Sequence, residues 1–224
     1  MNPPRLILSA LHREQATEAW VVCRAETDQG DVTLRHFPAT GSEAGVLLLG
    51  QGGGWSGPNG GRFYAQLGMS LREAGMHALW LRYRQAEDAE QSVLDALVGL
   101  DFLARAGARR LALVAHGEAL RVAVEAVAEL DGVKALVSLA APPSGLEALS
   151  ALSPGAAALF VHGGADTVNP VDNSRRAYQK APGERALKIL PGVGHEFSDA
   201  VDLPKQLVSW LRRPMSPPVR RKDV

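Results

Sequence analysis

Arg109-Arg110-Leu111-Ala112-Leu113-Val114-Ala115-His116-Gly117-Glu118-Ala119-Leu120 is the stretch that decides the fold. Residues 111–114 make an apolar run of strand length, and small residues follow at a corner. Leu120, Val124 and Val127 then repeat at the spacing of a helix. The stretch therefore predicts a strand, a sharp turn and a helix. The corner falls at Ala115-His116-Gly117-Glu118-Ala119, and Gly117 has no side chain.

Outward from this corner the same rhythm repeats. Residues 46–49, 78–81, 135–139, 158–161 and 187–190 are further short apolar runs without alternation, as expected of parallel strands covered on both faces. Helical spacing of apolar residues separates them at Phe63, Leu67, Leu71 and Ala74, at Val93, Leu97, Leu100 and Leu103, and at Leu207, Trp210 and Leu211. Two runs at 19–26 and 31–37, joined by Thr27-Asp28-Gln29-Gly30, predict an antiparallel hairpin at a sheet edge. Strands alternating with helices imply right-handed crossovers. The expected class is α/β: one domain, a mostly parallel twisted sheet with an N-terminal antiparallel hairpin, and helices on both faces.

Composition limits what such a domain can do. With 224 residues and 46% of them hydrophobic, the chain supports one well-buried core. Its 24 basic and 24 acidic residues balance, so no global charge draws it to nucleic acid or to an anionic membrane, and neither is an expected partner. A lone cysteine, Cys23, excludes an intrachain disulfide framework and fits a reducing compartment. No apolar run approaches the roughly 20 residues of a membrane span, and the start has no signal-peptide stretch, so the expected location is cytoplasmic. Residues 1–18 are expected to be an N-terminal extension and 19–213 the domain. Residues 214–224, with three prolines and Arg220-Arg221-Lys222, are expected to be a disordered basic tail.

Four segments in order resemble those of the α/β-hydrolase superfamily, in particular its small, lid-poor esterase and dienelactone-hydrolase-like members. Leu49-Gly50-Gln51-Gly52-Gly53-Gly54-Trp55 is similar to a glycine-rich oxyanion loop, with Gln51 where the H-G-G-G type has His. Ala115-His116-Gly117-Glu118-Ala119 stands where the family carries G-x-S-x-G. In Val161-His162-Gly163-Gly164-Ala165-Asp166 the resemblance makes Asp166 the acid, and in Gly192-Val193-Gly194-His195 it makes His195 the base. The order of positions 117, 166 and 195 is the order of this fold. Residues 144–155, where many relatives insert a lid, leave room for only a short helix, so the site should be open.

A carboxylate on one imidazole nitrogen fixes the tautomer and frees the other nitrogen as a base. Gly117 offers no nucleophile, so no acyl-enzyme can form there. Losing a triad member leaves roughly 10³ to 10⁴ over the water reaction in serine hydrolases. The residues expected to form the site are Gly117, Asp166 and His195, with Gln51, Gly52, Gly53 and Glu118 on the oxyanion and binding side. Glu118 also suits the first turn of a helix. His116 and His162 lie at strand ends nearby, but their spacing matches no ligand signature, so neither a metal nor a cofactor is expected. Trp55, Phe63 and Tyr83 are candidates to line a cleft, and Arg82 and Arg84 are open to a ligand anion or a structural salt bridge.

Three readings follow from Gly117. In the first, the chain is a degenerate hydrolase, with weak or no esterase activity, that binds a small molecule or a partner. In the second, His195 acts as general base on water or substrate, giving a hydrolase or lyase. In the third, a natural serine has been substituted. The ligand in any of these is expected to be small, an ester or acid in kind. Homo-oligomerisation through an edge strand or the last helix is compatible with the pattern.

Overall fold

The computed structural model describes residue 6, residues 8–128, residue 130 and residues 132–217. The six apolar runs become the strands β4 (Ala44–Leu49), β5 (His77–Arg82), β6 (Arg110–His116), β7 (Val133–Leu139), β8 (Ala157–Gly163) and β9 (Arg185–Leu190). These are parallel to one another. Ahead of them β1 (Leu8–Ala16), β2 (Val21–Thr27) and β3 (Val32–Phe37) pair antiparallel, and β3 joins β5 antiparallel. The sheet order is β1-β2-β3-β5-β4-β6-β7-β8-β9.

Both faces of the central strands are buried, so side chains alternate between two cores. Leu47, Leu49, Leu79, Leu81, Leu113 and Ala115 meet α2 (Ala89–Arg105), α3 (Ala119–Ala128) and α4 (Val171–Lys180) on one face. Val46, Leu48, Ala78, Trp80, Ala112 and Val114 meet α1 (Arg62–Glu73) and α5 (Leu203–Arg212) on the other. This is the expected architecture.

β4 sits between β5 and β6, and the chain leaves it in one direction and returns on its other side. Such a reversal opens a crevice at the C-terminal ends of the two neighbouring strands, where open α/β sheets place ligands. Register fixes what meets there. Leu49 pairs with Ala115, so Gln51 and Gly117, each two residues further on, leave the sheet at the same level.

The structure corrects four details. Residues 8–16, placed outside the domain by the sequence, are the edge strand β1, which moves β2 and β3 inward from the edge. Its polar run His12-Arg13-Glu14-Gln15 is largely exposed and suits a strand that must discourage further pairing. Helix α4 was missed because its sequence, VDNSRRAYQK, buries only Asn173, Ser174 and Ala177. β9 is the opposite edge and is half-exposed, not covered on both faces. The tail expected from 214 begins instead with packed residues: Met215 is buried in the α1–α5 core and its carbonyl accepts from Arg110 Nε at 2.8 Å. Residues 218–224, including the basic cluster, lie outside the described residues. The segment 144–155 holds one short 3₁₀ turn, Glu147–Ala151, as its length allows.

Candidate active site

The corner after β6 has the expected shape. Gly117 turns the chain at φ 56°, a left-handed conformation that costs a residue with a Cβ about 1–2 kcal/mol. Its N–H donates to the Leu139 carbonyl at 2.9 Å, and α3 begins two residues later.

Asp166 and His195 come together from the loops after β8 and β9. His195 Nδ1 lies 2.9 Å from Asp166 Oδ2, and the carboxylate side chain is fully buried. The second oxygen, Oδ1, accepts from the Val168 and Asn169 N–H groups, each at 2.8 Å. Burial alone would raise the Asp166 pKa, but the Asn169 N–H, the His195 ring and the Val168 N–H more than offset it and hold the carboxyl below its usual value. An ionised Asp166 keeps the proton of His195 on Nδ1 and leaves Nε2 facing the corner.

Several supporting residues were not identified from the sequence in these roles. His162, from β8, has Nε2 at 3.0 Å from the Asn169 carbonyl and 3.3 Å from Asp166 Oδ2, and Nδ1 at 2.6 Å from the Ser174 hydroxyl. Asn169 Nδ2 donates to the Ala140 carbonyl at 3.0 Å, fixing the Asp166 loop to β7. The signal for this was the pair Asp166 and Asn169 three apart, the spacing of a side chain that closes a turn on its own backbone. His116 Nε2 donates to the His195 carbonyl at 3.2 Å. Burial, then the neighbouring His195, push the His116 pKa down to about 4, so its ring is neutral. His116, His195 and Glu196 bring ligand-type atoms within 4.8 Å of one another, yet all three residues are engaged within the protein, Glu196 by accepting from the Asn59 N–H at 2.8 Å.

The sequence puts Gln51 on the oxyanion and binding side, in the glycine-rich loop. Its carboxamide folds over Gly117. A Cβ built on Gly117 would stand 1.9 Å from Gln51 Oε1, far inside any contact two atoms can make. The same oxygen accepts from the Glu118 N–H at 3.3 Å, and Gln51 Nε2 stands 3.4 Å from His195 Nε2. One flexible side chain thus occupies the space beside Gly117, engages the N–H next to it and faces the free nitrogen of the dyad, and a substituent at 117 would have to turn its carboxamide aside.

Gly52 and Gly53 are exposed, and a Cβ added to either would touch nothing. Gly50 is demanded by contact, since its Cβ would stand 2.2 Å from the Ser56 carbonyl oxygen, and Gly52 and Gly54 by their left-handed φ of 79° and 70°. Glu118 is exposed, and its carboxylate accepts from the Ser144 hydroxyl, tying the short lid segment to the corner. Beside Gln51 opens a cleft of about 590 Å³, bordered by Tyr83, Glu87, Glu118, Val122 and Ser144. Of the other aromatic candidates, Phe63 is core and Trp55 lies against Trp80. Arg84 is a structural ion pair with buried Asp95, with Nε 2.5 Å from Oδ1.

Fold and site geometry together define the class: the chain has the α/β-hydrolase fold. Solved structures with the same fold include a dienelactone hydrolase from Anabaena variabilis, 16% identical with a TM-score of 0.75 over 90% of this chain and 99% of that one. The Pyrococcus furiosus esterase Pf2001 is 14% identical, with a TM-score of 0.74 over 96% of this chain and 100% of that one. Est1E from Butyrivibrio proteoclasticus is also 14% identical, with a TM-score of 0.73 over 88% and 99%. No protein-family model and no curated protein matches the chain. Among the described residues no helix is long and apolar enough to cross a membrane.

Proposed function

We propose that this chain is a degenerate α/β-hydrolase that binds a small acid, ester or related molecule in the cleft beside Gln51 and does not catalyse acyl transfer. The observation that carries this reading is the Gln51 carboxamide over Gly117. Acyl transfer needs a nucleophile at the corner, a base within reach of it and N–H donors free for the developing oxyanion. Here the first is missing, and Gln51 contacts the second and one of the third. The same contact bears on the second reading, since a water attacking in place of a serine would first have to displace the Gln51 carboxamide.

The Asp166–His195 pair, well formed at 2.9 Å, is what still supports general-base chemistry. Comparing the intact protein with His195→Ala on short aryl esters separates the two readings. Equal rates, no more than a surface histidine or lysine would give, are expected; a fall of tenfold or more in the variant would restore the enzyme reading. A melting screen against small carboxylic acids and esters tests the binding half, because a ligand at 100 times its Kd raises stability by about 2.7 kcal/mol. No shift with any of them would remove it. The balanced charge supports a protein with no nucleic-acid or membrane partner, and the lone Cys23 fits a reducing, cytoplasmic setting.

A further inference from the structure

Arg35, in the middle of β3, is held by three tryptophans. Its guanidinium carbon lies 4.4 Å from the ring centre of Trp55, 4.6 Å from Trp20 and 5.1 Å from Trp80. The indole NH of Trp80 is used elsewhere, donating to the Ser56 carbonyl at 2.9 Å. Trp80 is buried, whereas Trp20, Trp55 and Arg35 itself are half-buried.

The guanidinium lacks an anion. Arg35 Nε is buried without a hydrogen-bond partner, and among the described residues no carboxylate pairs with this side chain. The contrast is Arg84, whose buried charge has a carboxylate, a carbonyl and an amide oxygen around it. Indole faces offset part of the cost of taking the Arg35 charge out of water, but they supply no acceptor for its N–H groups. The side chain is half-buried and, among the described residues, its terminal nitrogens have no hydrogen-bond or ion-pair partner, which leaves that edge for an acceptor. Burial lowers the Arg35 pKa from its usual value, and nothing raises it in return, as a resident carboxylate would.

We propose that Arg35, Trp20 and Trp55 form a binding site for a carboxylate carried on an apolar body. The carboxylate takes the free edge of the guanidinium through two parallel N–H···O bonds, the geometry in which a planar fork meets a planar anion. The apolar body lies on the half-buried indoles. A single cation with aromatic walls matches a monoanion; a bare phosphate has no apolar part to place there. This site does not rest on the reading of Gly117, although Trp55 belongs to the same loop as Gln51.

Three of the four tryptophans surround Arg35, so intrinsic fluorescence reports the site directly. The intact protein is titrated with cyclohexanecarboxylate, with its neutral amide and with inorganic phosphate. Expected is a saturable change with the carboxylate, at least about tenfold weaker with the amide and with phosphate. Arg35→Lys, which keeps the charge but loses the fork, should weaken the carboxylate at least threefold, and Arg35→Met should abolish the change while far-UV circular dichroism stays native. If Arg35→Met does not fold, the lysine variant and the amide decide. Equal binding of amide and carboxylate, equal binding of phosphate, no saturable change in the intact protein, or an undiminished response in the lysine variant would each overturn the proposal.

Discussion

At the scale of single residues the chemistry turns on the space beside Gly117, which has no side chain of its own to fill it. Gly117 leaves the space and Gln51 takes it. A second residue-scale consequence follows from the buried histidines. Burial, with neighbouring positive groups, pushes His36 as well as His116 down to about pKa 4. The unfolded chain, with ordinary histidines near 6.5, therefore binds more protons than the folded one between pH 6.5 and 4. Stability is full above that window and is lost as pH falls through it, by on the order of 3 kcal/mol per histidine if the whole shift is realised. Urea midpoints measured across pH 4–7 should fall steeply toward acid, and His116→Gln should flatten the slope. A midpoint independent of pH in that range would show that these rings are not held neutral. Asp166 and His195 were legible in the sequence because each follows a strand in a recognisable loop. The position of the Gln51 side chain was not, since it depends on the register of β4 against β6, which no local pattern encodes.

At the scale of elements, legibility followed apolar content. The six parallel strands and four of the five helices stood out because burial on one face or both forces a pattern on the sequence. Strand β1 and helix α4 did not: one is a polar edge, and the other touches the core through two small polar residues and an alanine. The joint between β5 and α2 depends on a charge in place of apolar area. Asp95, fully buried in α2, accepts from the Arg84 N–H at 2.8 Å and pairs with its guanidinium. Asp95→Ala strands a nearly buried cation and should cost about 3–5 kcal/mol. The double change with Arg84→Leu should cost less than the single one. Denaturant titration of both variants checks this, and a single variant within 1 kcal/mol of the parent protein would mean that solvent reaches Arg84 freely.

At the scale of the molecule, the sheet reverses direction at β4, which brings the glycine loop, the corner and the Asp166–His195 pair to one rim. The fold thus brings these elements together whether or not chemistry follows, and the likeness to dienelactone hydrolase and esterase structures concerns the fold alone. Removing the obstruction and supplying the nucleophile together should make the site react. Labelling by an alkyl fluorophosphonate is the direct readout, compared across the parent protein, Gly117→Ser, and Gln51→Ala combined with Gly117→Ser. The parent should stay unlabelled, the single variant should label more slowly than the double, and labelling of the double variant should be abolished by His195→Ala. Labelling of the single Gly117→Ser variant at the rate of the double would contradict the account, because Gln51 would then be no obstacle.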